Sequence, residues 1–147
     1  MKFTTLLLCE HATMNQVGLV SMLNAAANRI ARPIFPAPLG LTLVAVIQLP
    51  PDYVSGTSVE VEFTVTSTDE SEIFGRAIGS VEAQLLPGTE GVVGTATLIL
   101  DLSGVALTKA GIYKINGTIK GGESESIYLQ VAQVESFAAP QQAMPSS

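Results

Sequence analysis

At 147 residues the chain suits one domain with one core, and 47% hydrophobic against 14% charged residues leaves it short of the roughly 25% charge that normally coats such a domain. Its net charge of −6 and its scattered basic residues, Lys2, Arg29, Arg32, Arg76, Lys109, Lys114 and Lys120, argue against nucleic-acid binding, which needs clustered cations, and against an anionic membrane surface. A single cysteine, Cys9, excludes an internal disulfide and points to a reducing compartment.

Residues 3–9 read as a first strand. Lys2 before an apolar run has the outline of a secretory leader, but Glu10 and His11 stop the run short of the roughly seven to 15 residues such a leader needs. No small residue precedes Cys9 as a lipoprotein signal requires. The expectation is a cytoplasmic protein, or one within a cytoplasmically assembled particle. Residues 16–23 read as a second strand and residues 24–32 as the only plausible helical turn, after which Pro33, Pro36 and Pro38 impose an extended connection. Phe35 sits among these prolines, either crossing the edge of the domain or docking in a partner's groove.

Residues 39–49 are apolar on both faces, with Leu41, Leu43, Ala45 and Ile47 on one side and Val44 and Val46 on the other. Such a strand is central or lies at an interface, because exposed it invites aggregation. It falls well short of the about 20 residues that span a bilayer, so no membrane insertion is expected. The clearest signal is residues 58–66, where Val59, Val61, Phe63 and Val65 alternate with Glu60, Glu62, Thr64 and Thr66. A period of two puts every apolar side chain on one face of a half-buried strand. Further strands follow at residues 77–86, 95–102, 111–119 and 125–134, separated by Pro50-Pro51-Asp52, Ser55-Gly56-Thr57, Pro87-Gly88-Thr89, Ser103-Gly104 and Gly121-Gly122. Many short strands at this spacing predict an all-β sandwich or barrel over residues 1–136. Residues 137–147, rich in Ala, Pro, Gln and Ser, read as a flexible tail or an arm lying on a neighbour.

Residues 107–115, Leu-Thr-Lys-Ala-Gly-Ile-Tyr-Lys-Ile, resemble the corner that enters the penultimate strand of immunoglobulin-like sandwiches. There a glycine precedes a tyrosine by two positions, the hydroxyl bonds back to the chain upstream, and an apolar residue follows two positions later. Gly111, Tyr113 and Ile115 match these places. Ile115 stands where antibody domains carry a cysteine, so packing must replace the intersheet disulfide. The resemblance implies an immunoglobulin-like antiparallel β-sandwich of seven to nine strands.

The segments Leu7-Leu8-Cys9-Glu10-His11-Ala12, Gly18-Leu19-Val20-Ser21 and Pro33-Ile34-Phe35-Pro36 also resemble a family of small uncharacterised bacterial proteins. Its members begin with a strand ending in a Cys-acid-x-Ala group, then a hairpin and a Phe-Pro segment. The chain departs from them in having Val17 and Leu19 around Gly18, where a Gly-Lys pair is frequent. The family's activity is unknown, and no catalytic residues carry over.

Cys9, Glu10 and His11 form the one cluster of potentially reactive side chains. A structural zinc site wants four ligands and the chain has one Cys and one His, so the bland reading is a buried cysteine at a strand end. A Cys–His nucleophile pair is disfavoured because neighbouring side chains on a strand point to opposite faces and Cys9 to His11 is a spacing seldom used for proton transfer. Asp69-Glu70-Ser71-Glu72 lacks the alternating ligands and central glycine of a calcium loop and reads as a solvated turn. Asn116-Gly117-Thr118 matches a glycosylation pattern but reads as hairpin surface, and Gly88, Gly91 and Gly94 lack the Lys-Ser/Thr and helix of a phosphate loop.

The leading expectation is a non-enzymatic structural or interaction module, a subunit of a homo-oligomer or larger assembly, with Leu41, Val44, Val46, Phe35 and Phe137 as interface candidates. No cofactor is implied. The alternative is a ligand- or cation-binding sandwich using Tyr53, Asp69, Glu70 and Glu72, although a sugar platform would be poor in a chain with no Trp and three Tyr.

Overall fold

The computed structural model describes residues 1–16, 18–85, 88 and 93–134. Among them no helix occurs, so none is long and apolar enough to cross a membrane. In chain order the strands are β1 (Lys2–Cys9), β2 (His11–Met14), β3 (Val20–Leu23), β4 (Arg29–Arg32), β5 (Ala37–Pro38) and β6 (Thr42–Gln48). They continue with β7 (Ser58–Ser67), β8 (Ile73–Glu82), β9 (Thr95–Asp101), β10 (Ala106–Leu107), β11 (Gly111–Ile119) and β12 (Ser124–Gln133).

Two sheets face one another. The smaller has the order β1-β6-β9 and is antiparallel throughout. The larger has the order β4-β12-β11-β7-β8. Alternation decides what lies between them: Leu43, Ala45 and Ile47 of β6 meet Val61, Phe63 and Val65 of β7 and Tyr113, Ile115 and Ile119 of β11 in one buried cluster. Burying a Leu, Ile or Phe of this kind contributes about 1.5–3 kcal/mol, so the paired apolar faces are what hold the sheets together.

The corner at residues 107–115 closes as its residues imply. Tyr113 Oη donates to Lys109 O at 2.6 Å and accepts from Lys109 N at 3.3 Å, while its ring meets Phe74 edge-on at 4.9 Å. Ile115 is fully buried in the main core. Gly117, from the glycosylation-like triplet, is a core position. A Cβ there would lie 2.9 Å from Phe3 Cζ and 3.0 Å from Phe63 Cε1, so the close approach of those rings requires glycine. Asn116 beside it accepts from Ser126 Oγ at 2.6 Å.

Several sequence expectations change. The described residues hold twelve strands, not seven to nine, because short pairings β2–β3 and β5–β10 are added to the two main sheets. The fold is also not purely antiparallel, since β4 runs parallel to β12. Residues 24–32 form no helical turn: Asn24 and Ala26 take φ of 50° and 61°, outside the helical region, and residues 29–32 gain a full ladder on β12. The strand expected at residues 16–23 starts only at Val20. Gly18 at φ 84° and the Asn15 side chain, which accepts from Leu19 N at 2.9 Å, turn the chain there so that His11–Met14 becomes its partner. The strand expected from residue 77 begins at Ile73, and its expected end, Leu86, lies outside the described residues, as do the 136/137 boundary and the tail.

Candidate interaction surface

The two outward sheet faces differ in chemistry. On the five-stranded sheet, cross-strand rows run Ser126–Asn116–Thr64–Arg76 and Ser124–Thr118–Glu62–Ile78. These polar groups satisfy one another: Ser124 Oγ donates to Thr118 Oγ1 at 3.1 Å, and Arg76 Nε and Nη2 grip the two Glu62 oxygens, each at 3.1 Å. Lys114 Nζ donates to Glu70 Oε1 at 2.8 Å, which raises the lysine's pKa. Ile73, Ile78, Ile112 and Tyr128 are exposed among them, and exposed apolar side chains are common on protein surfaces.

The three-stranded sheet presents an apolar row, Leu7–Val44–Ile99, beside the row Thr5–Val46–Thr97. The β2–β3 hairpin folds back over part of it, and Ala12 and Val20 pack with Cys9 and Val44 into a second, small cluster. Pairing puts Met14 opposite Val20 and Met22 opposite Ala12, so both methionines share the hairpin's apolar side, yet they remain 50% and 42% exposed. Leu7, Val46 and Ile99 are left half-buried. The result is a partly roofed apolar surface continuous from the sheet onto the hairpin. Periodicity hinted at it only through Ala12 and Met14 alternating with Thr13; the fold-back itself is a tertiary event.

The interface candidates separate accordingly. Leu41 is buried in the main core and Val44 lies under the hairpin at 1% exposure, so both are consumed within the protomer and neither is available to a partner. The two-sided apolarity of β6 arises because the strand is central and its back is covered by the chain itself. Val46 is the candidate that still faces outward. Phe35 packs against the core, and its connection is fastened by Arg32, whose Nε donates to Pro38 O and Nη2 to Leu39 O at 3.1 and 2.7 Å. Phe137 lies outside the described residues.

The alternative ligand loop does not assemble. Tyr53 precedes β7 and the acidic residues follow it, and a ten-residue strand separates them by roughly 30 Å. Tyr53 is itself buried, its hydroxyl donating to Thr57 O and accepting from Ala83 N at 3.1 Å, so it staples the start of β7 to the end of β8. Each acidic side chain of the loop already has a partner. Asp69 Oδ1 accepts from Ser67 Oγ and Ser71 Oγ at 2.7 Å and from Ser71 N at 3.1 Å, and these bonds hold its pKa at about 2. Glu70 pairs with Lys114, and Glu72 with Lys109 at 3.7 Å. A hollow of about 270 Å³ lies beside Asp69, Glu72, Lys109 and Tyr113, and its two carboxylates are already engaged by Ser67, Ser71 and Lys109.

Nor do Cys9, Glu10 and His11 converge. Cys9 is fully buried with its Sγ 3.6 Å from Thr42 O, and burial raises its pKa, keeping a protonated thiol. Glu10 accepts from Asn24 Nδ2 at 2.8 Å and His11 is exposed on the next strand.

A family model described as a family of unknown function (DUF6941) matches residues 4–132, and the chain belongs to that family. No curated protein matches the sequence.

Proposed function

We propose that this member of the DUF6941 family is a non-enzymatic structural or protein-interaction module, a cytoplasmic subunit of a homo-oligomer or larger assembly. The observation that carries the reading is the unlike chemistry of the two sheet faces: one is a satisfied polar network, the other an apolar row left half-covered beside exposed Met14, Met22 and Leu19. Contiguous apolar surface with a polar rim is the usual mark of a protein contact. We also read the sandwich as immunoglobulin-like. Support comes from the order β1-β6-β9 against β12-β11-β7-β8, which parallels an A-B-E sheet facing G-F-C-C′, and from the tyrosine corner before β11. The acidic loop supports ligand binding less well, since its carboxylates are already engaged.

Light scattering on the full chain tests the assembly. Wild type is expected to associate, and the Val46→Asp/Met22→Asp double variant, which charges the outward apolar surface without entering the main core, is expected to lose contacts. A wild type that stays monomeric at its highest soluble concentration defeats the reading.

A further inference from the structure

Strand β8 borders the larger sheet, and among the described residues its outer side pairs with nothing. The ends of the strand are held within the protomer. At the near end, Val105 packs over the inward face at Gly75, where a Cβ would lie 2.9 Å from its Cγ2. At the far end, Ala83 N donates to Tyr53 Oη and Ala83 O accepts from Gly56 N, so its backbone is spent. The free stretch is therefore residues 76–82, Arg-Ala-Ile-Gly-Ser-Val-Glu, and its midpoint is Gly79.

Natural edges are blunted by prolines, lysines or short length, and this ten-residue strand has neither proline nor lysine. Gly79 is the odd residue. Its φ is not positive, and a Cβ built on it meets nothing within 4 Å among the described residues, so neither backbone conformation nor packing against them requires glycine there. A mid-strand glycine weakens a strand and often marks close approach of another backbone.

We infer that β8 pairs antiparallel with the β8 of a second copy of this chain, across a two-fold axis at Gly79. This deepens the assembly reading above and rests on it. With Gly79 opposite itself, Arg76 faces the partner's Glu82 and Glu82 the partner's Arg76, giving two reciprocal charge pairs on the outward face. Ile78 meets Ser80, and half-buried Ala77 meets Val81, which places apolar against apolar on the inward side. No like charges oppose one another in this register. Arg76 engages Glu62 through Nε and Nη2, so Nη1 is left to donate across the axis. Such a contact is isologous, closes at two subunits and joins the two five-stranded sheets into one.

Sedimentation velocity on the full chain over a concentration series tests this. Wild type is expected to dimerise. Gly79→Lys, whose Cβ meets nothing within 4 Å among the described residues but which sets two ammonium groups together at the axis, is expected to weaken dimerisation by tenfold or more. Glu82→Arg and Arg76→Glu are each expected to weaken it by about tenfold, since each creates two like-charge oppositions. The double variant Arg76→Glu/Glu82→Arg is expected to restore most of the affinity. Thermal melts confirm that each variant folds. Association that survives all three single changes and yields to Val46→Asp/Met22→Asp overturns the β8 contact while leaving the assembly reading intact; a monomeric wild type overturns both. Failure of the charge swap to rescue overturns this register.

Discussion

Gly117→Ala adds one methyl group where the rings of Phe3 and Phe63 crowd β11. The new carbon would sit 2.9 and 3.2 Å from Phe3 Cζ and Cε2 and 3.0 Å from Phe63 Cε1, where carbon atoms rest at about 3.5–4.0 Å. Phe3 and Phe63, with ring centroids 6.1 Å apart and planes tilted by 52°, must therefore give by half an ångström or more. Both rings belong to the buried core, so neither can swing into solvent. Overpacking of this kind costs about 1–3 kcal/mol, while replacing glycine by alanine returns roughly 0.4–1 kcal/mol by restricting the unfolded chain. Two rings are pressed at once, which puts the cost toward the upper part of that range and leaves a loss of about 1–2 kcal/mol, or roughly 3–8 °C in melting temperature for a chain of this size. With no Trp in the sequence, urea unfolding is best followed by far-ultraviolet circular dichroism. A double-mutant cycle with Phe3→Leu isolates the cause, because removing the ring should relieve about 1 kcal/mol of the alanine's cost. Gly117→Ala as stable as wild type, or a cost unchanged by Phe3→Leu, would refute the packing argument.

Tyr113→Phe removes the hydroxyl that closes the corner and is expected to lower stability by about 1–2 kcal/mol at an unchanged denaturant slope; an unchanged urea midpoint would deny the corner that role. The Asp69 carboxyl, lowered by the hydroxyls of Ser67 and Ser71, should titrate near 2 by carbon-13 NMR, and Ser67→Ala should raise its midpoint toward 3.8. Because the folded pKa is depressed, its stabilising contribution is present above about pH 4 and is lost as pH falls toward 2. Cys9 should resist alkylation at neutral pH in the folded protein and react promptly in denaturant; equal rates in both would contradict its burial as a protonated thiol.

The β-strand assignments at residues 58–66 and 111–119 were legible from residue order because a pleated strand turns successive side chains to opposite faces, and Val59 to Val65 obey that rule. The corner was legible for a similar reason: Gly111, Tyr113 and Ile115 lie within five residues and the hydroxyl reaches back only four positions to Lys109, within reach of local sequence. Residues 24–32 were not, since a four-residue ladder on distant β12 outweighs any local preference. Grouping Tyr53 with Asp69 in one ligand loop failed for the same reason, because β7 carries them to opposite ends of the sandwich.

Alone, the sequence determined that the chain is all-β, where its principal strands lie, and which side of each strand is apolar, because these follow from a period of two and from turn chemistry. Tertiary structure decided which apolar side is spent. Val44 disappears beneath the hairpin while Val46 faces outward, and Arg76, Gly79 and Glu82 become a free edge only because β8 ends the sheet. Whether a residue is core or surface depends on which segments come to lie against it, and such contacts join positions far apart in the chain that no local pattern encodes.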